Sequence, residues 1–213
     1  MLELKRIERA LVLGAHPDDG EFGCGATIAK LVDSGVRVTY AMFSLCQESV
    51  PEGFPLDVLR EEALNSSRVL GLDEGSLIHF EFPVRRFPQY RQEILEEMVR
   101  MRKELRPDLV LLPSNHDLHQ DHATIAGEGW RAFKAGSILG YEVPWNNLTF
   151  TAHLFSLVSP DQLERKIGAL TQYRSQQFRS YAKDEFIRSL ARVRGTQVGQ
   201  ELAESFEVIR WMI

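Results

Sequence analysis

Cysteine is scarce in this chain. Cys24 and Cys46 are the only two, too few for a disulfide scaffold, so the fold must stand on its core, and the chain suits a reducing, cytoplasmic compartment. Both are expected to pack as small apolar side chains. Long apolar runs are missing too: nothing approaches roughly 18 continuous apolar residues, which excludes a membrane-spanning helix. Positive charge is not in excess. With a formal net charge of −5 and no basic stripe interleaved with aromatics, the chain lacks the electrostatic footprint that nucleic acid requires. Arg174, Arg179, Arg188, Arg192 and Arg194 gather late in the chain, but acidic residues are mixed among them and they read as a solvated helical face. Repeats, low-complexity tracts and linkers are absent. Residues 1–213 therefore read as one domain, long enough to bury a full core. The start, MLELKRIERALVLGAH, is basic and then apolar as in a secretion leader. Its apolar run is too short, has no small-residue cleavage site and leads straight into a polar cluster, so it reads as a first strand.

What is present alternates between two periodicities. RALVLGAH is a strand-like apolar run, GATIAKLVDSG has helical spacing and closes on Gly35, and VRVTYAMFS is strand-like again. PLDVLREEALNSSRVLGL is helical with Gly71 as its cap, and SLIHFEF returns to strand. QYRQEILEEMVRMRKEL is an amphipathic helix stopped by Pro107, and DLVLLPS is the short continuous apolar run that a parallel sheet buries. This rhythm predicts an α/β fold, a Rossmann-like, doubly wound, mainly parallel sheet with helices on both faces. Beyond Gly136, SILGYEV and HLFSLV read as strands, and SPDQLERKIGALTQYRSQ as a helix opened by the capping pair Ser159–Pro160. The tail reads as a helix, a loop from Gly195 to Gly199, and a last element in ELAESFEVIRWMI that fits helix or strand.

In doubly wound sheets ligands sit beyond the carboxyl ends of the strands, and two polar clusters fall there. The first is LVLGAHPDDGEFGCG, which places His16, Asp18, Asp19 and Glu21 within six residues. Carboxylates so crowded repel one another and lose hydration, so something positive is expected among them. The second is PSNHDLHQDHATIAGEGWRAF, where His116, His119 and His122, half of the six histidines, recur at steps of three with Asp117 and Asp121 between them. Histidine and carboxylate are the donors of zinc and other first-row divalent metals. Steps of three let His16 with Asp19, and His119 with His122, address one centre. Such a cation lowers the pKa of its water from about 15.7 toward about 7 and polarises an amide oxygen, most usefully beside a carboxylate that is not a ligand. A histidinium backed by an aspartate is poised to protonate a leaving amine near neutral pH.

AHPDDGE resembles the AHPDDxE signature of the LmbE-like metal-dependent deacetylases, the family of N-acetylglucosaminylphosphatidylinositol de-N-acetylase and of the bacterial deacetylases that make mycothiol and bacillithiol. DLHQDH is similar to that family's HPDH element, with Gln120 where proline is commonest, and SQQF…RGTQVGQELAESFEV is similar to its usual ending. The resemblance implies His16, Asp19 and His122 as ligands of zinc, with ferrous iron equally suited to the donors, and Asp18 as the base that takes a proton from water. It implies His119 as the group that stabilises the oxyanion or protonates the amine, Asp121 as the carboxylate that orients and charges His119, and Arg60 and His153 as substrate contacts. The implied substrate is a small N-acetylated sugar, most often an N-acetylglucosamine unit. Relatives are often homo-oligomers, some of them hexamers.

Each assignment has a plainer competitor. Asp18 or Asp19 could cap the following helix, and Arg60 could pair with neighbouring glutamates. Glu21 reads as first-turn helix charge or hydrogen-bond support, His116 as a loop residue in solvent or a fourth site residue, Asp117 as structural or substrate-side, and His79 as an ordinary packing or surface residue. Trp145, Tyr141 and Trp130 are candidates for stacking on a sugar, with Trp130 expected in the core because it lies on a helix. The glycines after the first strand lack the G-x-G-x-x-G order of a dinucleotide site. Two other readings are a non-haem iron oxygenase using His119, Asp121 and His153, which leaves AHPDDGE unexplained, and a metal-binding relative without catalysis.

Overall fold

Strand β1 (Arg9–Gly14) is buried after its first residue, and its side chains alternate. Ala10 and Val12 enter one core and Leu11 and Leu13 the other. A strand apolar on both faces needs a layer on each. The computed structural model, which describes residues 7–212, supplies them. β2 (Arg37–Met42) and β4 (Leu109–Pro113) flank β1 in parallel; β3 (Leu77–His79) extends the sheet beyond β2 and β5 (Ser137–Tyr141) beyond β4. β7 (Ala203–Arg210) runs antiparallel to β5, and β6 (Leu154–Leu157) antiparallel to β7. The order β3-β2-β1-β4-β5-β7-β6 makes a mostly parallel sheet of seven strands. Helices α1 (Asp19–Asp33), α2 (Val58–Leu70), α5 (Pro160–Leu170) and α6 (Asp184–Gln197) cover one face, and α3 (Arg91–Leu105) and α4 (Gln120–Ala132) the other. No helix among the described residues is long and apolar enough to cross a membrane.

The caps follow from local chemistry. Gly71 ends α2 with φ +89°, a conformation open to glycine without steric cost. Ser159 and Gln162 form a reciprocal capping box at the start of α5. Helix α1 is two helices joined at Cys24, whose φ is −151°. The break strands backbone groups, and a buried ion pair receives them: Glu204 accepts from Ala26 N–H at 3.2 Å and Thr27 N–H at 2.7 Å, while Lys166 Nζ donates to Phe22 O and to Glu204, both at 2.7 Å. The first half of α1 is glycine-rich because tyrosine rings lie against it. A Cβ on Gly23 would stand 2.1 Å from the Tyr141 ring, and one on Gly20 2.7 Å from Tyr40.

Several expectations change. SLIHFEF is a strand only over Leu77–His79; Phe80 and Phe82 still donate to Met42 and Phe43 carbonyls, but Pro83 has no N–H to continue the ladder. The loop placed at Gly195 starts later, since α6 runs to Gln197 and Gly195 is glycine because a Cβ would stand 2.6 Å from the Glu201 backbone. The tail ends as strand. Tyr141 is wholly buried with its hydroxyl on Leu13 O, which removes it as a sugar platform. Trp130, expected in the core, is 51% exposed.

Candidate active site

β1 and β4 are neighbours whose connections leave in opposite directions along the sheet, so a crevice opens beyond their carboxyl ends. Both polar clusters descend into it. After Gly14 the chain turns through His16 and Pro17 into α1. Asp18 occupies the N-cap position but makes no side-chain capping bond, which leaves its carboxylate for the crevice. Asp19 turns back, its Oδ2 accepting the His16 backbone N–H at 2.7 Å. Beneath the turn, the Tyr40 and Tyr173 hydroxyls lie 2.9 and 2.6 Å from Pro17 O, and both also reach Glu21. Glu21 is fully buried, accepts from Ser66 Oγ at 2.6 Å and lies beneath the turn; burial pushes its carboxyl up to about 7.

From the other side, His119 caps α4, its Nδ1 accepting the Asp121 backbone N–H at 3.2 Å. That bond leaves Nε2 to carry the proton of the neutral ring. Burial, with positive charge on His16 and His122, brings the His119 pKa down to about 4, so the ring is a neutral donor. The Asp121 carboxylate makes no hydrogen bond to His119, although its negative charge acts to raise the His119 pKa as expected of a carboxylate that charges the ring. Its Oδ2 lies 3.2 Å from His16 Nε2 and accepts the Arg85 N–H, and its Oδ1 accepts the Phe87 N–H at 3.1 Å. Arg85 holds φ +66° in the turn that presents these amides.

Three donors then converge. His16 Nδ1 and His122 Nε2 are 3.1 Å apart, Asp19 Oδ1 is 3.2 Å from His122 Nε2, and Asp19 Oδ2 is 3.4 Å from His16 Nδ1. Donors sharing a tetrahedral centre with bonds of about 2.0–2.1 Å stand about 3.3 Å apart; the two ring nitrogens are close to this spacing and each has one oxygen of the Asp19 carboxylate beside it, so these residues fit a metal ion. The ring nitrogens of His16, His119 and His122 also lie within 4.8 Å of one another, so His16 and His122 can be completed as a three-residue set by His119 or by Asp19. Each converging histidine has a carboxylate behind it, Asp121 for His16 and Asp117 for His122 at 2.7 Å. Burial acts to lower both histidines, yet Asp19 and these carboxylates raise His16 to about 9 and His122 to about 10. The cluster draws in positive charge, as a cation site does.

The cluster forms the floor of a cavity of about 380 Å³. Asp18 lines it, its pKa raised by burial and by the charge of Asp19 and restrained by Arg179. One wall is aromatic: Trp145 and Tyr181 stack at 3.8 Å and 8°, with Phe22 edge-on to both. Neither expected substrate contact, Arg60 or His153, is among the residues lining this cavity. Arg60 is on the exposed side of α2, and its charge, after burial, lowers the pKa of His79. His153 is exposed beside β6, three strands from β4, its Nδ1 accepting the Val208 N–H at 3.2 Å. This position separates His153 from His119 and Asp121 and dismantles the facial triad of an oxygenase. His116 is exposed, 3.8 Å from Glu207.

Residues 11–133 match the family model described as GlcNAc-PI de-N-acetylase, PIG-L. The chain belongs to this family. It is 31% identical to an uncharacterised deacetylase, YaiS, of Escherichia coli (strain K12), over 78% of this chain and 90% of that one. It is 30% identical to a diacetylchitobiose deacetylase of Thermococcus kodakarensis, over 63% of this chain and 51% of that one. The fold is shared with GalB, the 4-carboxy-2-hydroxymuconate hydratase of Pseudomonas putida KT2440, at a TM-score of 0.79 and 17% identity over 97% and 98% of the two chains.

For a PIG-L family member, sequence reasoning missed residues that only folding brings near the cluster. Arg85 and Arg179, on separate loops, both line the cavity; Arg179 does not belong to the solvated face expected for it. Asp117 had a legible signal, a carboxylate among three histidines, but no assigned partner. It is buried, with Oδ2 on His122 and Oδ1 accepting the His119 N–H at 2.8 Å. Removing such a buttress loosens the His122 ring without deleting it. Asp117→Asn is expected to weaken metal affinity about 10–100-fold, read by competition with a chelator of known affinity; unchanged affinity would mean that Asp117 serves only the loop.

Proposed function

We propose that this chain is a metal-dependent N-deacetylase, most simply a zinc enzyme, that hydrolyses the acetamide of an N-acetylglucosamine-type sugar. The observation that carries this reading is the convergence of His16, Asp19 and His122 on one point beside an unengaged Asp18. His16, Asp19 and His122 would hold the ion. When bound, such a cation lowers the pKa of its water and polarises the amide carbonyl.

The chain's own groups supply the rest. Asp18 accepts the proton that water loses as its oxygen attacks the carbonyl carbon. His119, neutral with Nδ1 occupied, presents Nε2–H to the oxygen where negative charge develops and then toward the departing nitrogen. As the C–N bond breaks, the nitrogen gains the proton that Asp18 removed, giving the amine and acetic acid, which ionises to acetate. Trp145 and Tyr181 offer an apolar face to the sugar ring. The curated deacetylase relatives support the reaction class, and the one named for diacetylchitobiose supports an N-acetylated sugar. The likeness to the hydratase, at 17% identity, concerns the fold alone.

The test is amine release from N-acetylglucosamine, N,N'-diacetylchitobiose and N-acetylglucosaminides with charged aglycones, before and after chelation. The expected result is about one metal per chain, turnover of at least one compound, loss of turnover on chelation and recovery with zinc or ferrous iron. Turnover that survives complete removal of metal would overturn the reading.

A further inference from the structure

A second cavity, of about 390 Å³, lies between α3, α4 and the end of β7. It is remote from the first in the topology. Arg210 pairs with Ile138 at the start of β5, toward the amino ends of the parallel strands, whereas the metal cluster follows the carboxyl ends of β1 and β4. The two cavities share no lining residue.

Its lining combines an apolar floor that includes Val99 and the indole of Trp130 with four cations, Arg102, Arg131, Lys134 and Arg210, and no acid. In a chain of net charge −5 this is a local reversal. One of the four is partly neutralised: Arg131 bonds Glu128 at 2.6 Å, a buried carboxylate that Arg91 also engages. Arg102 is steadied by a 2.7 Å bond to Ala132 O, which holds one guanidinium edge and carries no charge. Lys134 and Arg210 have no ion-pair partner among the described residues. A lone exposed indole needs no explanation, but an indole half exposed beside guanidinium groups is a stacking platform with an anion clamp.

We propose that this cavity is a second binding site, for an aromatic anion of nucleotide size, with the ring on Trp130 and phosphate oxygens on Arg102, Arg131, Lys134 and Arg210. Planar guanidinium forks match phosphate, and a cluster of four cations suits a polyanion better than a single carboxylate. The volume lies within the roughly 300–1,000 Å³ of small-molecule sites. The site stands on its own lining and does not depend on the deacetylase reading.

The experiment is equilibrium binding of ATP, adenosine and inorganic pyrophosphate to the full chain in metal-free buffer, for wild type, Trp130→Ala and Lys134→Glu, with thermal unfolding to show that each variant is folded. The expected result is saturable binding of ATP, weakened about tenfold or more by each substitution, with pyrophosphate and adenosine each binding less tightly than ATP. Absence of ATP binding, or ATP binding that both folded variants retain, would overturn the site. Pyrophosphate binding as tightly as ATP would overturn the aromatic half of the proposal. If Lys134→Glu instead disperses an oligomer and leaves ATP binding unchanged, the groove is a contact between copies and the proposal fails.

Discussion

Asp18→Asn is expected to lower kcat by about 10²–10⁴-fold, the usual contribution of a positioned general base, while the protein keeps its full complement of metal. The expectation rests on what Asp18 does not do. It stands at the N-cap of α1, where a carboxylate ordinarily accepts from the first turn, yet it makes no such bond. Asp19, its neighbour, is committed to His16 and His122. Asp18 therefore lines the cavity without a side-chain capping role, and burial together with the charge of Asp19 raises its pKa. Asparagine keeps the shape and removes the basicity. Metal analysis and steady-state kinetics on the variant separate the alternatives. A variant that loses metal makes Asp18 a ligand; one that keeps both metal and rate excludes it as the base. A loss confined to KM would assign it to substrate binding.

Lys166→Met is expected to destabilise the fold by about 3–5 kcal/mol, the cost of leaving one member of a buried ion pair alone. Lys166 is 4% exposed and Glu204 5%, so little water can replace the lost partner. The pair also closes the break in α1 at Cys24: without Nζ, Phe22 O loses its donor and Glu204 faces Ala26 and Thr27 N–H as an uncompensated charge. For a chain of this size the fall in Tm is roughly 6–20 °C. Denaturant unfolding monitored by circular dichroism reads the change. Lys166→Met with Glu204→Gln is expected to recover part of it, because the charge that was left unpaired is gone. A loss below about 1 kcal/mol for Lys166→Met alone would show that solvent reaches Glu204 and that the pair does not hold the helix break.

How much of this was legible in the sequence depends on how far apart the interacting residues lie. The helices α2, α3 and α5 are signalled within short windows, by Gly71, Pro107 and the Ser159–Pro160 start, because capping and periodicity act over a few residues. The strands of the parallel sheet were legible for the same reason, as apolar runs buried on both faces. Edges were less so: β3 stops at His79 since Pro83 cannot continue the ladder, β6 is legible only as a strand without its antiparallel partner, and β7 fits helix or strand equally until it pairs with β5 and β6. Trp130 and Tyr141 exchanged expected places. The side of α4 that bears Trp130 faces solvent and cations, while Tyr141 ends a central strand with its hydroxyl turned to Leu13 O.

The sequence by itself determined the α/β class, the family and the chemical inventory, His16, Asp18, Asp19, His119, Asp121 and His122, because these sit in two short clusters at strand ends and donor type is a property of each residue alone. Only the tertiary structure decided which donor meets which. It set Asp121 behind His16 rather than His119, set Asp117 behind His122, left Asp18 free of the helix it precedes, and kept Arg60 and His153 away from the cavity while bringing Arg85, Arg179 and Tyr181 to it. The physical reason is that hydrogen bonds and ion pairs act over about 3 Å, and which groups come that close across the crevice between β1 and β4 is set by sheet order and loop path, not by spacing along the chain.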